Sequence, residues 1–174
     1  MLYTRKGDNG TTKTFGCDQR ISKSSIVAEA LGGLDEANSF LGVLRAKNKK
    51  YAETILEVQQ NLFIVQAEVA GATLSINAEK ISRVEKIVDE IEKILPPIKN
   101  FFLSGATETG AMFDFARTLA RRAERRVVAA KEEGKIKVSA ETLTYLNRLS
   151  SLLYALARIS SYIEGIEEIK PDYK

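Results

Sequence analysis

The sequence predicts an all-α protein, a bundle of five helices. Three observations predict it. Apolar residues recur at spacings of three and four along five long segments. Proline, glycine or polar residues interrupt the pattern between those segments. Nowhere does a convincing period-two alternation mark a strand. The chain's 174 residues, 44% of them apolar and 28% charged, suffice for one globular domain. Its expected division is an arm over 1–23, a helical bundle over 24–165 and a tail over 166–174.

The arm is loop chemistry, with Gly7, Gly10 and Gly16 set among threonines, Asp8 and Asn9. The first helix begins near Ser24 and carries Ile26, Ala30, Leu34, Ala37, Leu41 and Leu44 on one face. Gly32-Gly33 weakens it by about 1 kcal/mol per glycine relative to alanine, so a close neighbour is expected there. A second helix spans about Tyr51 to Ala72, with Ile55, Leu62, Val65 and Val69 facing inward. The third runs from about Glu79 to Leu95, where Pro96-Pro97 stops it. A connector with Phe101 and Phe102 follows. The fourth runs from about Thr107 to Glu133, ended by Gly134. The fifth runs from about Ala140 to Glu164, with Leu143, Leu146, Leu149, Leu153, Leu156 and Ile159 inward.

Net charge is +3, too small a basic excess to suggest nucleic acid. Histidine is absent, which excludes a histidine base, a Ser–His or Cys–His nucleophile and any histidine-ligated metal. Cys17 is the single cysteine, so no internal disulfide forms, in keeping with a reducing cytoplasm. The first residues lack the apolar stretch of a secretory signal, and no run of about 18 apolar residues suggests a membrane span.

Several constellations carry chemistry. Thr4, Arg5, Lys6, Gly7, Thr12 and Lys13 bring hydroxyls, backbone donors and positive charge together, as a triphosphate requires. This is not a Walker A loop. Arg117, Arg121 and Arg125 are four apart and form one row on the fourth helix, flanked by Arg122, Glu124 and Arg126. Like charges at that spacing repel, so the row points to a polyanion. Asp35-Glu36 is placed to anchor an arginine, and Asn147-Arg148 lies in an apolar stretch where a polar residue has a partner. Each also has a plainer reading: a flexible turn, a solvated basic face, exposed acids, core aromatics at Phe101-Phe102.

Read in order, these pieces resemble the PduO-type family of ATP:corrinoid adenosyltransferases. The matching stretches are Tyr3 to Thr12, Lys23, Glu29 to Ser39, Phe101 to Gly105, Ala116 to Thr118, Arg121 to Arg125 and Leu146 to Ser150. They cover nearly the whole chain. The resemblance implies a homotrimer with active sites between neighbours. It implies that ATP's phosphates lie against Thr4 to Gly7, Thr12 and Lys23. Arg121, Arg122, Glu124, Arg125 and Asn147 then approach from the adjacent subunit, and Asp35 pairs with Arg117 across the interface. Mg²⁺ accompanies the triphosphate, with no protein ligands assigned. Phe101 excludes the lower axial base of cobalamin. Further partners implied are a flavin reductase and an adenosylcobalamin-dependent mutase. Ser104-Gly105-Ala106 replaces a Pro-Gly-Gly-like form of some relatives. The alternative is a regulatory bundle that binds ATP without chemistry; it has no use for Phe101.

Overall fold

The computed structural model describes residues 3–15 and 19–174. Met1, Leu2, Gly16, Cys17 and Asp18 lie outside the described residues, and with them the expectations for Gly16 and Cys17. Five helices form the body: α1 (Ile26–Lys47), α2 (Ala52–Val69), α3 (Ala78–Glu92), α4 (Glu108–Glu132) and α5 (Ala140–Ile163). A short 3₁₀ turn, Lys49–Tyr51, joins α1 to α2. The all-α expectation needs one correction. β1 (Thr11–Lys13) and β2 (Arg20–Ser22) pair antiparallel in the arm, with Thr12 opposite Ile21. Strands of three residues are too short for alternation to reveal them.

The helix starts are specified by side-chain caps. Ser25, Asn77, Thr107 and Ser139 each accept a hydrogen bond from the backbone N–H three residues on. A cap of this kind is worth about 1 kcal/mol. The ends of α2, α4 and α5 turn on Gly71, Gly134 and Gly165, all at positive φ. After α5, Gly165 N–H bonds Tyr162 O and Ile166 N–H bonds Ser161 O, a glycine-centred reversal that returns the chain along the bundle. Helix α3 ends at Glu92, three residues before the expected Leu95. Ile94 and Leu95 instead make turn bonds to Ile91 O, because a residue preceding proline disfavours helical geometry.

Helices alternate in direction. Glu29–Arg126, Glu36–Arg122 and Lys47–Glu108 ion pairs set α1 and α4 antiparallel. Glu85–Arg148 near one end, and Leu95 lining the same cavity as Arg158, set α3 parallel to α5. The core lies among all five helices, built from Leu34, Leu41, Leu62, Val65, Phe113, Leu149 and Leu153, with Val84 and Ile91 of α3. Gly33 is where α4 presses on α1: a Cβ there would meet Ala123 Cα at 3.4 Å and Arg126 Nη1 at 3.3 Å. The neighbour expected from the sequence is therefore a helix. Gly32 faces open space.

Two buried polar groups have measurable consequences. Glu68, at the end of α2, accepts hydrogen bonds from Ser139 N–H (2.7 Å), the Ser139 hydroxyl and the Thr142 hydroxyl at the start of α5. Glu68→Ala strands the buried Thr142 hydroxyl, at about 1–3 kcal/mol, while the half-buried Ser139 donors recover water in part. Urea unfolding should show a loss of about 2–3 kcal/mol; an unchanged midpoint would remove Glu68 from the fold's supports.

Tyr145 is fully buried, and its hydroxyl has no hydrogen-bond partner among the described residues. Burial pushes its pKa well above the ordinary 10.0; Asn61 lies beside it, outside hydrogen-bond geometry, and offsets only part of this. The folded phenol thus stays protonated where the unfolded one ionises. Its contribution is complete below about pH 10 and falls by about 1.4 kcal/mol per pH unit above it. Tyr145→Phe should leave stability near pH 7 little changed and flatten the decline above pH 10, read from urea midpoints at both pH values. Parallel declines in the two proteins would contradict it.

Candidate functional site

The row of arginines on α4 connects two ends of the bundle. The arm is rooted at the start of α1, beside Arg126 of α4. The connector 96–106 and the tail lie at the opposite end, by the start of α4 and the end of α5. Between Arg117 and Arg125 the helix rises about 12 Å.

At the connector end lies a cleft of about 850 Å³. Phe101, Phe102 and Leu103 of the connector, Arg117 and Arg121 of α4, Tyr154 of α5 and Tyr173 of the tail line it. Phe101 is 81% exposed, so it is not a core aromatic; its ring stands free at this cleft. Arg117 is half-buried and fixed: its Nε donates to Asp114 Oδ1 at 3.1 Å, and its guanidinium lies 5.9 Å over the Tyr154 ring. Burial raises the Tyr154 pKa, with Glu168 and Asp114 adding to this and Arg158 and Arg117 opposing it. That phenol is therefore a neutral hydrogen-bonding group and not a base.

Arg121 is exposed, and its guanidinium has no ion-pair or hydrogen-bond partner among the described residues. Arg125 uses Nη1 to bond the Arg121 carbonyl at 3.1 Å and likewise has no acid. Two uncompensated guanidinium groups on one helix edge are a ready anion site. Arg122 and Arg126 differ. They point at α1, where Arg122 meets Glu36 at 2.5 Å and Arg126 meets Glu29 at 2.8 Å. So Glu36, and not Asp35, is the acid of that pair that anchors an arginine. Asp35 is exposed and without a partner among the described residues. Asn147 donates to Glu124 at 3.3 Å and accepts from Arg148 at 3.0 Å, which joins α5 to α4 beside the row.

The arm holds its shape internally. Asp8 N–H bonds Arg5 O, Gly10 N–H bonds Gly7 O and Lys23 N–H bonds Gly10 O at 2.9 Å. Thr4 Oγ1 accepts from Lys6 N–H. Arg5 sits at φ 57 with its guanidinium 5.3 Å over Tyr3. Lys23 Nζ folds against Gly7, where a Cβ would meet it at 3.1 Å, so the glycine makes room for the cation. Thr12 sits in β1 and Lys13 at its end. Among the described residues, and Lys13 aside, the arm's hydrogen bonds stay within residues 3–25. The structure therefore brings Phe101, Arg117 and Arg121 into one cleft and sets Lys23 against Gly7 in the arm at the other end. Among the described residues, Lys13 aside, no hydrogen bond or ion pair joins the two groups.

Asp114, Tyr154, Glu168 and Lys170 were not singled out from the sequence, yet all line the cleft. Asp114 had a local signal, lying three residues before Arg117 on one helix face. The tail residues had none. Among the described residues no group of three or more acids or cysteines could hold a metal, and no helix is long and apolar enough to cross a membrane.

Comparison with known proteins bears on this geometry. A family profile described as cobalamin adenosyltransferase matches residues 2–160. The chain is 41% identical over 170 residues to the corrinoid adenosyltransferase PduO of Citrobacter freundii, covering 92% of this chain and 50% of that protein. It thus spans about half the length of the PduO relatives that it matches. A corrinoid adenosyltransferase of Bacillus subtilis (strain 168) is 34% identical, with 97% of this chain and 91% of that protein covered. Among solved structures, a variant PduO-type ATP:corrinoid adenosyltransferase from Lactobacillus reuteri, complexed with cobalamin and ATP, superposes with a TM-score of 0.93 at 27% identity. That match covers 99% of this chain and 97% of the other.

Proposed function

The chain belongs to the cobalamin adenosyltransferase family, and on that premise we propose that it transfers the 5′-deoxyadenosyl group of ATP to cob(I)alamin, forming adenosylcobalamin and releasing triphosphate. The observation that carries this reading is an exposed aromatic ring, Phe101, and a guanidinium without a partner among the described residues, Arg121, in one cleft. An apolar ring suits a face of the corrin where no ligand is wanted. A free cation suits a leaving triphosphate. The non-catalytic alternative leaves Phe101 without a task.

In the reaction Co(I) attacks the 5′ carbon, a Co–C bond forms, and the C–O bond to triphosphate breaks. Co(I) is a strong nucleophile, so no protein base is needed, consistent with a chain that has no histidine. Arg121 and Arg125 stabilise charge arising on the departing oxygen. The arm residues Thr4, Arg5, Lys6, Gly7, Thr12, Lys13 and Lys23 grip the phosphates, and Asn147 with Glu124 holds the nucleotide end of the row in place. Arg122, paired with Glu36, positions the row from behind. Mg²⁺ would accompany the phosphate oxygens and would neutralise part of the leaving group's charge.

The assembly in this proposal is a homotrimer. One protomer's arm meets the next protomer's arginine row, and the unpartnered Asp35 reaches Arg117. Arg121 and Asp35, exposed and without ion-pair partners among the described residues, support it. The single-domain division at 23 and 165, the cytoplasmic location and supply by a flavin reductase with delivery to a mutase belong to the same proposal. Incubation with ATP and chemically reduced cobalamin tests the chemistry. Adenosylcobalamin and intact triphosphate should appear one to one. Diphosphate and phosphate as the products, or no Co–C bond, would refute it.

A further inference from the structure

Phe101 presents a problem of position. It is 81% exposed, so its own burial does not hold its ring at the cleft. Its position depends on what fixes Phe102 and Leu103. Three contacts do so, and two of them lead to one residue. Arg158 of α5 is only 4% exposed, amid the apolar core face of its helix. Its Nε donates to Glu168 of the tail at 2.9 Å, and its guanidinium lies 5.2 Å over the Phe102 ring. The third contact is Leu103 N–H donating to Ile169 O at 2.8 Å, which ties the connector's backbone to the tail. The reversal at Gly165 brings Glu168 and Ile169 back to this spot.

The connector and tail border two cavities. Beside the main cleft, a second cavity of about 470 Å³ is lined by Pro96, Pro97, Arg158 and Tyr162. Phe102, Glu168 and Lys170 line both. A segment bordered by two cavities has little packing to resist displacement. A buried guanidinium also has no low-cost state without its carboxylate, so the pair is held strongly to one geometry.

We propose that Arg158 is a positioning residue. By clamping Glu168 with its charge and Phe102 with its planar face, it sets Phe101 at the corrin's lower face. The proposal deepens the adenosyltransferase reading and rests on it for its catalytic part. Arg158 does not line the main cleft. Its effect passes through Phe101, so it bears on removal of the lower ligand and less on the transfer step.

Three variants test it: Arg158→Met, Arg158→Lys and Glu168→Gln, the last being a conservative change on the tail that keeps α5 intact. Hydrogen exchange reads the connector and tail directly. Amides of 98–104 and 166–172 should exchange faster in Arg158→Met and Glu168→Gln, while those of α1 and α4 keep their protection. Exchange at the native rate in both segments of both variants overturns the clamp. The second reading is spectroscopic. With Co(II) cobalamin and ATP bound, the fraction of cobalt that has lost its lower nitrogen ligand, seen by electron paramagnetic resonance, should fall in both variants. Arg158→Lys, which keeps the charge without the planar face, should fall between them and the native protein. Turnover starting from Co(II) should drop about tenfold or more, as small misplacement of a positioned group does, and turnover from pre-formed Co(I) should drop less. Faster exchange with unchanged ligand loss would show a merely structural pair and overturn the positioning role. Absence of Co(I) turnover in the native protein would count against the functional reading alone, because the exchange result is independent of it.

Discussion

Arg121→Ala should lower kcat/KM for adenosyl transfer from pre-formed Co(I) by about 10²–10³, or about 3 kcal/mol or more of transition-state stabilisation. The reason lies in what surrounds the side chain. Arg117 is held by Asp114 and Tyr154, and Arg122 and Arg126 are held by acids of α1. Arg121 alone of these lines the cleft with a guanidinium free to meet an anion. Charge appears on the leaving oxygen only as the C–O bond breaks, so the loss should fall on kcat more than on KM. Since its guanidinium is exposed and has no partner among the described residues, urea stability should change little. Arg121→Lys should recover only part of the rate, because a point charge lacks the planar fork. Native turnover in Arg121→Ala would refute the role.

Phe101→Ala should have the second large effect, and a selective one. A lower axial ligand raises the energy of the cobalt orbital that accepts the electron. With the ring removed, water or the benzimidazole base reaches that face and Co(II) becomes harder to reduce. Turnover starting from Co(II) should fall by about 10² or more, a loss of the size expected when a group fixing the reactive geometry is removed. Pre-formed Co(I) needs no such reduction and should react with a much smaller deficit. The exposure of the ring makes the variant easy to interpret, since truncating it opens no core cavity. Equal losses from Co(II) and Co(I) would contradict the assignment.

The helices were legible in the sequence because burial along α1, α2 and the first half of α5 follows the three–four spacing: Leu34, Leu41, Leu62, Val65, Leu149 and Leu153 are all buried, while the second half of α5 is buried on nearly every side. Helix α3 was legible with less precision. Val84 and Ile91 are buried, whereas Ile94 is 56% exposed, because the helix has already ended before it. The arm's strand pair escaped, since three-residue strands carry no period. At the site, the row Arg117–Arg121–Arg125 was visible from its spacing alone. Arg122 and Arg126, one position further round the helix, look equivalent in sequence but face the acids of α1. Arg158 was overlooked as one residue in an apolar run. A charge that must be buried in such a run requires a paired acid, and that was the available signal. Its acid lies ten residues on, beyond a chain reversal that the helix pattern does not describe.

Mixing two inactive variants tests the central claim most directly. One carries Lys6→Ala with Lys23→Ala in the arm; the other carries Arg121→Ala. Their subunits are exchanged at equal amounts, and mixed assembly is verified by co-purification through a tag on one of them. If each site joins the arm of one protomer to the arginine row of its neighbour, about a quarter of the sites regain both intact halves, and activity from Co(I) should return to about that share of the native value. Verified mixed assemblies that remain as inactive as either parent would contradict the account.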